Sequence, residues 1–180
     1  MKAPLFVSSL LLAAATTIGT AQAAQTGSLR ITGEIQGGGT CHLDATDVNR
    51  TIRLPPIRII DLGGIVIEPG LWQFNLTANC DPDIRNVTFT FNGTPAPGSP
   101  THFANEGGTS SGVVTVLQSY IGGTNSLIPA NGNPADRGRT IPTNAGKAVL
   151  SMKAHYAKIP LVIVNKGTLI TLASVTITYN

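Results

Sequence analysis

Thr171-Leu172-Ala173-Ser174-Val175-Thr176-Ile177-Thr178-Tyr179 puts Thr171, Ala173, Val175, Ile177 and Tyr179 on one side of the chain. Leu172, Ser174, Thr176 and Thr178 fall on the other. A strand half-buried in a sheet imposes this period of two, because successive side chains point to opposite faces. The pattern runs to the last residues of the sequence, where chain ends ordinarily fray, so something is expected to tie this end down. The same alternation marks Gly27 to Ile35, with Gly27, Leu29, Ile31, Gly33 and Ile35 against Ser28, Arg30, Thr32 and Glu34.

Between these two segments lie further short runs rich in β-branched and aromatic residues: Thr51 to Leu54, Gly64 to Ile67, Leu71 to Ala78, Val87 to Asn92, Val113 to Tyr120 and Ala148 to Ala157. With Leu169 to Tyr179, each is bounded by Gly, Pro, Asn or Asp, the residues that turns use. No window holds apolar residues at helical spacing for ten residues or more, and 20 Gly with 12 Pro interrupt the remaining candidates. Short strands with turns between them predict an all-β sandwich. Thr94 to Gly112 and Gly122 to Gly146 are polar and turn-rich and read as surface excursions.

The first residues read as a secretory leader. Lys2 supplies the positive start, Leu5 to Ala15 the apolar run, and Ala21-Gln22-Ala23 the small-x-small cleavage pattern. Residues 1–23 are therefore expected to leave, and Ala24 to begin a mature chain of one domain without a membrane span. Export to an oxidising compartment makes a disulfide the default for the only two cysteines, Cys41 and Cys80. They stand 39 positions apart and lack the close ligand pairs of zinc sites. Charged residues are 12% of the chain, and the formal charge of +3 falls to +2 once Lys2 is gone. Lys and Arg are scattered and not gathered on a face, which argues against nucleic acid as a partner. So few charges on a secreted chain imply a surface that meets other protein.

Enzyme chemistry has no constellation here. His42, His102 and His155 are far apart in sequence and each reads as a surface or turn residue. No Gly-x-Ser-x-Gly elbow occurs, and Gly146-Lys147 is followed by Ala148 and lacks the upstream glycine of a phosphate loop. Asp44 with Asp47, and Asp81 with Asp83, do not make a calcium loop and read as turn formers beside the cysteines. No catalytic residue, metal or cofactor is expected.

One ordered set of segments goes further. Gly27-x-Leu29-x-Ile31-x-Gly33-Glu34-Ile35, Cys41, Phe74-Asn75-Leu76-Thr77-Ala78-Asn79-Cys80 and Val87-Thr88-Phe89-Thr90-Phe91-Asn92-Gly93 are followed by Leu150-x-Met152-x-Ala154-x-Tyr156 and Ala173-x-Val175-x-Ile177-x-Tyr179. Together they resemble the chaperone-usher pilin family, the subunits of type 1-like fimbriae. The resemblance implies an incomplete immunoglobulin-like β-sandwich whose missing final strand leaves a groove. It implies a donor-strand extension at residues 24–36, with Gly27, Leu29, Ile31 and Gly33 as its working positions, and a pilin domain at 37–180. Val175, Ile177, Tyr179 and the Asn180 carboxylate are then the groove and chaperone contacts. The implied function is that of a structural subunit of a bacterial fimbria supporting cell adhesion, exported through the periplasm to the cell surface. Its partners would be neighbouring pilin subunits in a homo- or heteropolymer, a periplasmic chaperone and an outer-membrane usher. The alternative is a minor or tip adaptor pilin, or an adhesin-type binding subunit. Pro55 to Glu68 is more apolar than a rod subunit is expected to be, which suits a minor one, whereas adhesins of the family carry a receptor domain for which this chain has no room.

Overall fold

The computed structural model describes residues 38–63 and 67–180. The leader, the extension at 24–36 and most of the run at Gly64 to Ile67 lie outside the described residues. Among the described residues ten strands make two sheets, in which every strand pair is antiparallel. They are β1 (Cys41–Leu43), β2 (Trp72–Cys80), β3 (Asn86–Gly93), β4 (Pro95–Ala96), β5 (Ser99–Phe103), β6 (Val113–Ile121), β7 (Thr124–Ile128), β8 (Gly138–Pro142), β9 (Lys147–Lys158) and β10 (Ala173–Tyr179). The larger sheet runs β1-β2-β9-β6-β5-β4 with β7 also on β6, and the smaller runs β10-β3-β8. Among the described residues the helices are one four-residue turn, α1 (Pro134–Arg137), and a 3-10 turn at Ile59–Leu62. None is long and apolar enough to cross a membrane.

Alternation becomes the core directly. Val87, Phe89 and Phe91 of β3 face Leu76 and Ala78 of β2 and Leu150 and Met152 of β9, all buried in one apolar cluster. The intervening Thr88 and Thr90 point outward, where the Thr88 hydroxyl meets that of Thr140 at 2.8 Å. This is the β-sandwich that the alternating runs imply, of the immunoglobulin-like kind that the family resemblance implies.

Several boundaries differ from the sequence reading. Thr51 to Leu54 pairs with no strand among the described residues, and β10 begins at Ala173, not Leu169. Residues 168–171 are instead bound by side chains and turns: the Ser110 amide donates to the Thr168 oxygen at 2.9 Å, and the Thr171 hydroxyl to the Ala104 oxygen at 3.0 Å. The two polar stretches are not excursions. They supply β4, β5, β7 and β8, and they send Phe103, Ile128, Ala130 and Ile141 into the core. Arg139 holds this part together, its Nε donating to the fully buried Ser119 hydroxyl at 2.8 Å and its Nη2 to the Leu127 carbonyl at 2.6 Å. Of the histidines, His42 is exposed, His102 is half-buried on β5 beside Ser99, and His155 is buried on β9.

Candidate functional site

Cys41 and Cys80 are direct cross-strand partners of β1 and β2 and are joined by a disulfide. Four carboxylates fasten the same corner, as turn formers do. Asp44 accepts from the Thr46 amide and hydroxyl at 3.0 and 2.7 Å and from Asn79 at 3.0 Å. These bonds, the Thr46 hydroxyl first among them, hold the Asp44 carboxyl at about 2. Asp47 accepts from the Thr77 amide at 2.8 Å, Asp81 from the Thr40 amide at 2.8 Å, and Asp83 from the Gly39 amide at 3.0 Å. The short edge strand β1 is thereby pinned, although it pairs with β2 over only three residues.

The other end of this corner is the chain's last strand. Asn180 and Asn86 exchange both backbone bonds at 3.2 Å, and the Arg85 amide adds a third to the Asn180 oxygen at 2.8 Å. These bonds tie the end down. They also set the phase of the ladder, because in an antiparallel pair the residues that exchange hydrogen bonds alternate with those that do not. With Asn180 bonded to β3, Thr178, Thr176 and Ser174 share its phase. Tyr179, Ile177, Val175 and Ala173 therefore turn their N–H and C=O groups away from β3, along the outer edge of the smaller sheet. Among the described residues no strand pairs with that edge.

The same residues carry the apolar face. Val175 and Ile177 are half-buried against the core cluster, as are Leu43, Leu54, Phe74 and Cys80. On β2 the cover thins in the same sense: Ala78 and Leu76 are buried, Phe74 is half-buried and Trp72 is exposed. On β9, Ala148, Leu150, Met152 and Ala154 stay buried throughout. The sandwich is closed on the β3–β9 side and open beside β10, and an unpaired row of backbone groups next to half-covered apolar side chains can accept a strand.

Val175, Ile177, Tyr179 and Asn180 are thus gathered on one edge, while Gly27, Leu29, Ile31 and Gly33 lie outside the described residues. The sequence reading made a strand of Thr51 to Leu54, whereas the segment from Thr51 to Arg58 joins no described strand, and its Ile52, Leu54 and Ile57 are half-buried. Its alternation was legible, but whether an extended segment has a hydrogen-bonded neighbour was not.

The family model described as fimbrial protein matches residues 29–180. Among solved structures the chain is similar to the P pilus rod subunit PapA, with 21% identity and a TM-score of 0.60, over 78% of this chain and 99% of PapA. It is also similar to a chain from the structure of a chaperone-usher pilus that concerns rod uncoiling, with 19% identity and a TM-score of 0.59, over 92% of this chain and 100% of that one. No curated protein sequence matches it.

Proposed function

The chain belongs to the fimbrial protein family and is a pilus subunit of the chaperone-usher type, and from that premise we propose that it polymerises by donor-strand exchange. Residues 24–36 of one subunit enter the open edge of a neighbour's β10, and its own β10 receives the corresponding segment of the next. The observation that carries this is the coincidence on β10 of an unpaired backbone edge with the half-covered Val175 and Ile177.

The physics suits the exchange. The inserted backbone satisfies the outward N–H and C=O groups of Val175, Ile177 and Tyr179. Leu29 and Ile31, on one face of the donor, complete the core at about 1.5 to 3 kcal/mol for each side chain buried. Gly27 and Gly33 remove side chains where the donor passes closely over the neighbour. Before assembly a periplasmic chaperone holds the same edge, with Tyr179 and Asn180 at the end of its contact, and the outer-membrane usher carries the subunit to a surface fibre that supports adhesion.

The test is the double substitution Leu29→Asp with Ile31→Asp. Two carboxylates cannot enter an apolar groove without a large desolvation cost, so the variant should still co-purify with its chaperone and yield no fibres. If the strand belongs to its own domain, chaperone complex and fibres will vanish together, and the reading is wrong. Substituting Arg30 and Thr32, on the opposite face, should be much milder.

A further inference from the structure

The end of the domain opposite the disulfide is apolar and uncovered. Ile59, Ile60, Leu161, Val162 and Ile163 are 49, 72, 104, 40 and 80% exposed. They surround a depression of about 600 Å³, with Lys158 at its rim. The surface is built, not slack. The turn at Ile59–Leu62 is fastened by Arg58, whose Nη2 donates to Asp61 at 3.0 Å and whose amide donates to the same carboxylate at 2.9 Å. The segment after β9 is bonded on both sides, Ile159 N–H to the Gly112 oxygen at 2.9 Å and Asn165 N–H to the Ser111 oxygen at 3.2 Å. Gly112, at φ +72°, lets it lie so close that a Cβ there would sit 2.7 Å from the Ile163 oxygen. Leu161 has a φ of 63°, a backbone region in which a bulky residue is an outlier, and its side chain points wholly to solvent. An isolated subunit gains nothing from either feature, whereas contiguous exposed apolar surface marks a contact.

Which partner covers it follows from chain geometry, given the strand-exchange reading above, on which this inference rests. Antiparallel pairing is the rule in both sheets, so a strand added at β10 in the same sense has its C-terminal end beside Ala173. This is the end of β10 nearer the apolar pole, since the Thr171 hydroxyl meets that of Thr115 at 2.7 Å, two residues along β6 from Val113, the partner of Lys158. Only residues 37–40 separate the donor segment from β1, and four residues reach at most about 14 Å. The donor's own body must therefore stand against this pole, presenting the end from which its β1 starts. At that end Asp81 N–H donates to the Thr40 oxygen at 2.9 Å and Cys80 N–H to the Gly146 oxygen at 2.7 Å, and the exposed Asp81-Pro82-Asp83 turn projects. Its two carboxylates complement Lys158, and its proline ring is an apolar fit for the isoleucines. We infer that the pole formed by Ile59, Ile60 and Leu161 to Ile163 is the seat of a second copy of this chain, occupied by that copy's Asp81-Pro82-Asp83 turn.

The experiment uses fibres of a variant carrying Leu161→Cys and Pro82→Cys, treated with a mild oxidant. A disulfide requires Cα atoms within about 7 Å, so covalent ladders that collapse on reduction are expected from the double variant, and none from either single one. Fibres without ladders overturn the inference. Dimers from Leu161→Cys alone mean that the pole meets itself, and bonds from it to another protein mean that a different partner covers it; either result also overturns it. A second variant, Leu161→Gly, relieves the left-handed backbone. It should leave the subunit more resistant to urea but its fibres more easily dissociated. Fibres as resistant as the parent's refute the seat. Binding of a synthetic peptide of residues 24–36 should be unchanged by Leu161→Gly; if the parent subunit does not bind that peptide, strand exchange fails and the inference falls with it.

Discussion

Truncating Ile177 to Ala separates what the subunit gains alone from what it gains when a strand is added beside β10. Full burial of an isoleucine side chain is worth about 1.5 to 3 kcal/mol, and Ile177 is half-buried against the core. The isolated subunit should therefore lose about 1 kcal/mol, and the strand-complemented subunit about 2 kcal/mol, because the added strand covers the remainder. The difference of about 1 kcal/mol corresponds to a roughly fivefold weaker hold on the donor segment. Urea unfolding followed by the fluorescence of Trp72, the single tryptophan, reports both numbers, with the dilute mature subunit measured alone and with excess peptide of residues 24–36. Val87→Ala, at a fully buried position of β3, is the control and should cost the same in both conditions. An Ile177→Ala loss that is equal with and without peptide would refute the placement of the donor over this face.

Replacing Cys41 or Cys80 by Ser opens the one disulfide, and the subunit should lose about 2 to 5 kcal/mol; the yield of periplasmic subunit and its urea midpoint measure this. The Asp44 carboxyl, held at about 2 by Thr46 and Asn79, lies below its ordinary 3.8. Its anchoring is therefore complete above about pH 4 and lost as the pH falls toward 2, so circular dichroism should show a steeper loss of fold across that window in the parent than in Asp44→Asn. Arg139→Ala leaves the buried Ser119 hydroxyl and the Leu127 carbonyl without their donor. It should cost about 1 to 3 kcal/mol, read as a lower thermal midpoint by about 2 to 4 °C for each kcal/mol.

The legible parts of the fold are those in which local pattern and tertiary burial coincide. Val87, Phe89 and Phe91 alternate with threonine and asparagine, and each enters the core; Leu150, Met152 and Ala154 do the same on β9. The illegible parts are strands whose reason for existing lies elsewhere in the chain. Gly138-Arg139-Thr140-Ile141-Pro142 has one apolar residue of any size, and it becomes β8 because β3 offers it an edge, with Ile141 opposite Val87. Thr51 to Leu54 has the better strand composition and no partner among the described strands. His155 reads as polar and is buried because Val116 of β6 is its direct cross-strand neighbour at the middle of the larger sheet.

The amino-acid sequence by itself determined that the chain is all-β, which residues alternate into the core, that Cys41 and Cys80 are available to each other, and that Val175, Ile177 and Tyr179 share a face. These follow from the spacing of side chains along one strand, which is local. The tertiary structure alone decided that β10 is an end strand bonded to β3 on one side, that Asn180 sets the phase turning Val175, Ile177 and Tyr179 outward, and that the core beside them stays half open. An edge is open or closed according to which distant segment lies next to it, and no spacing within a strand records its neighbours.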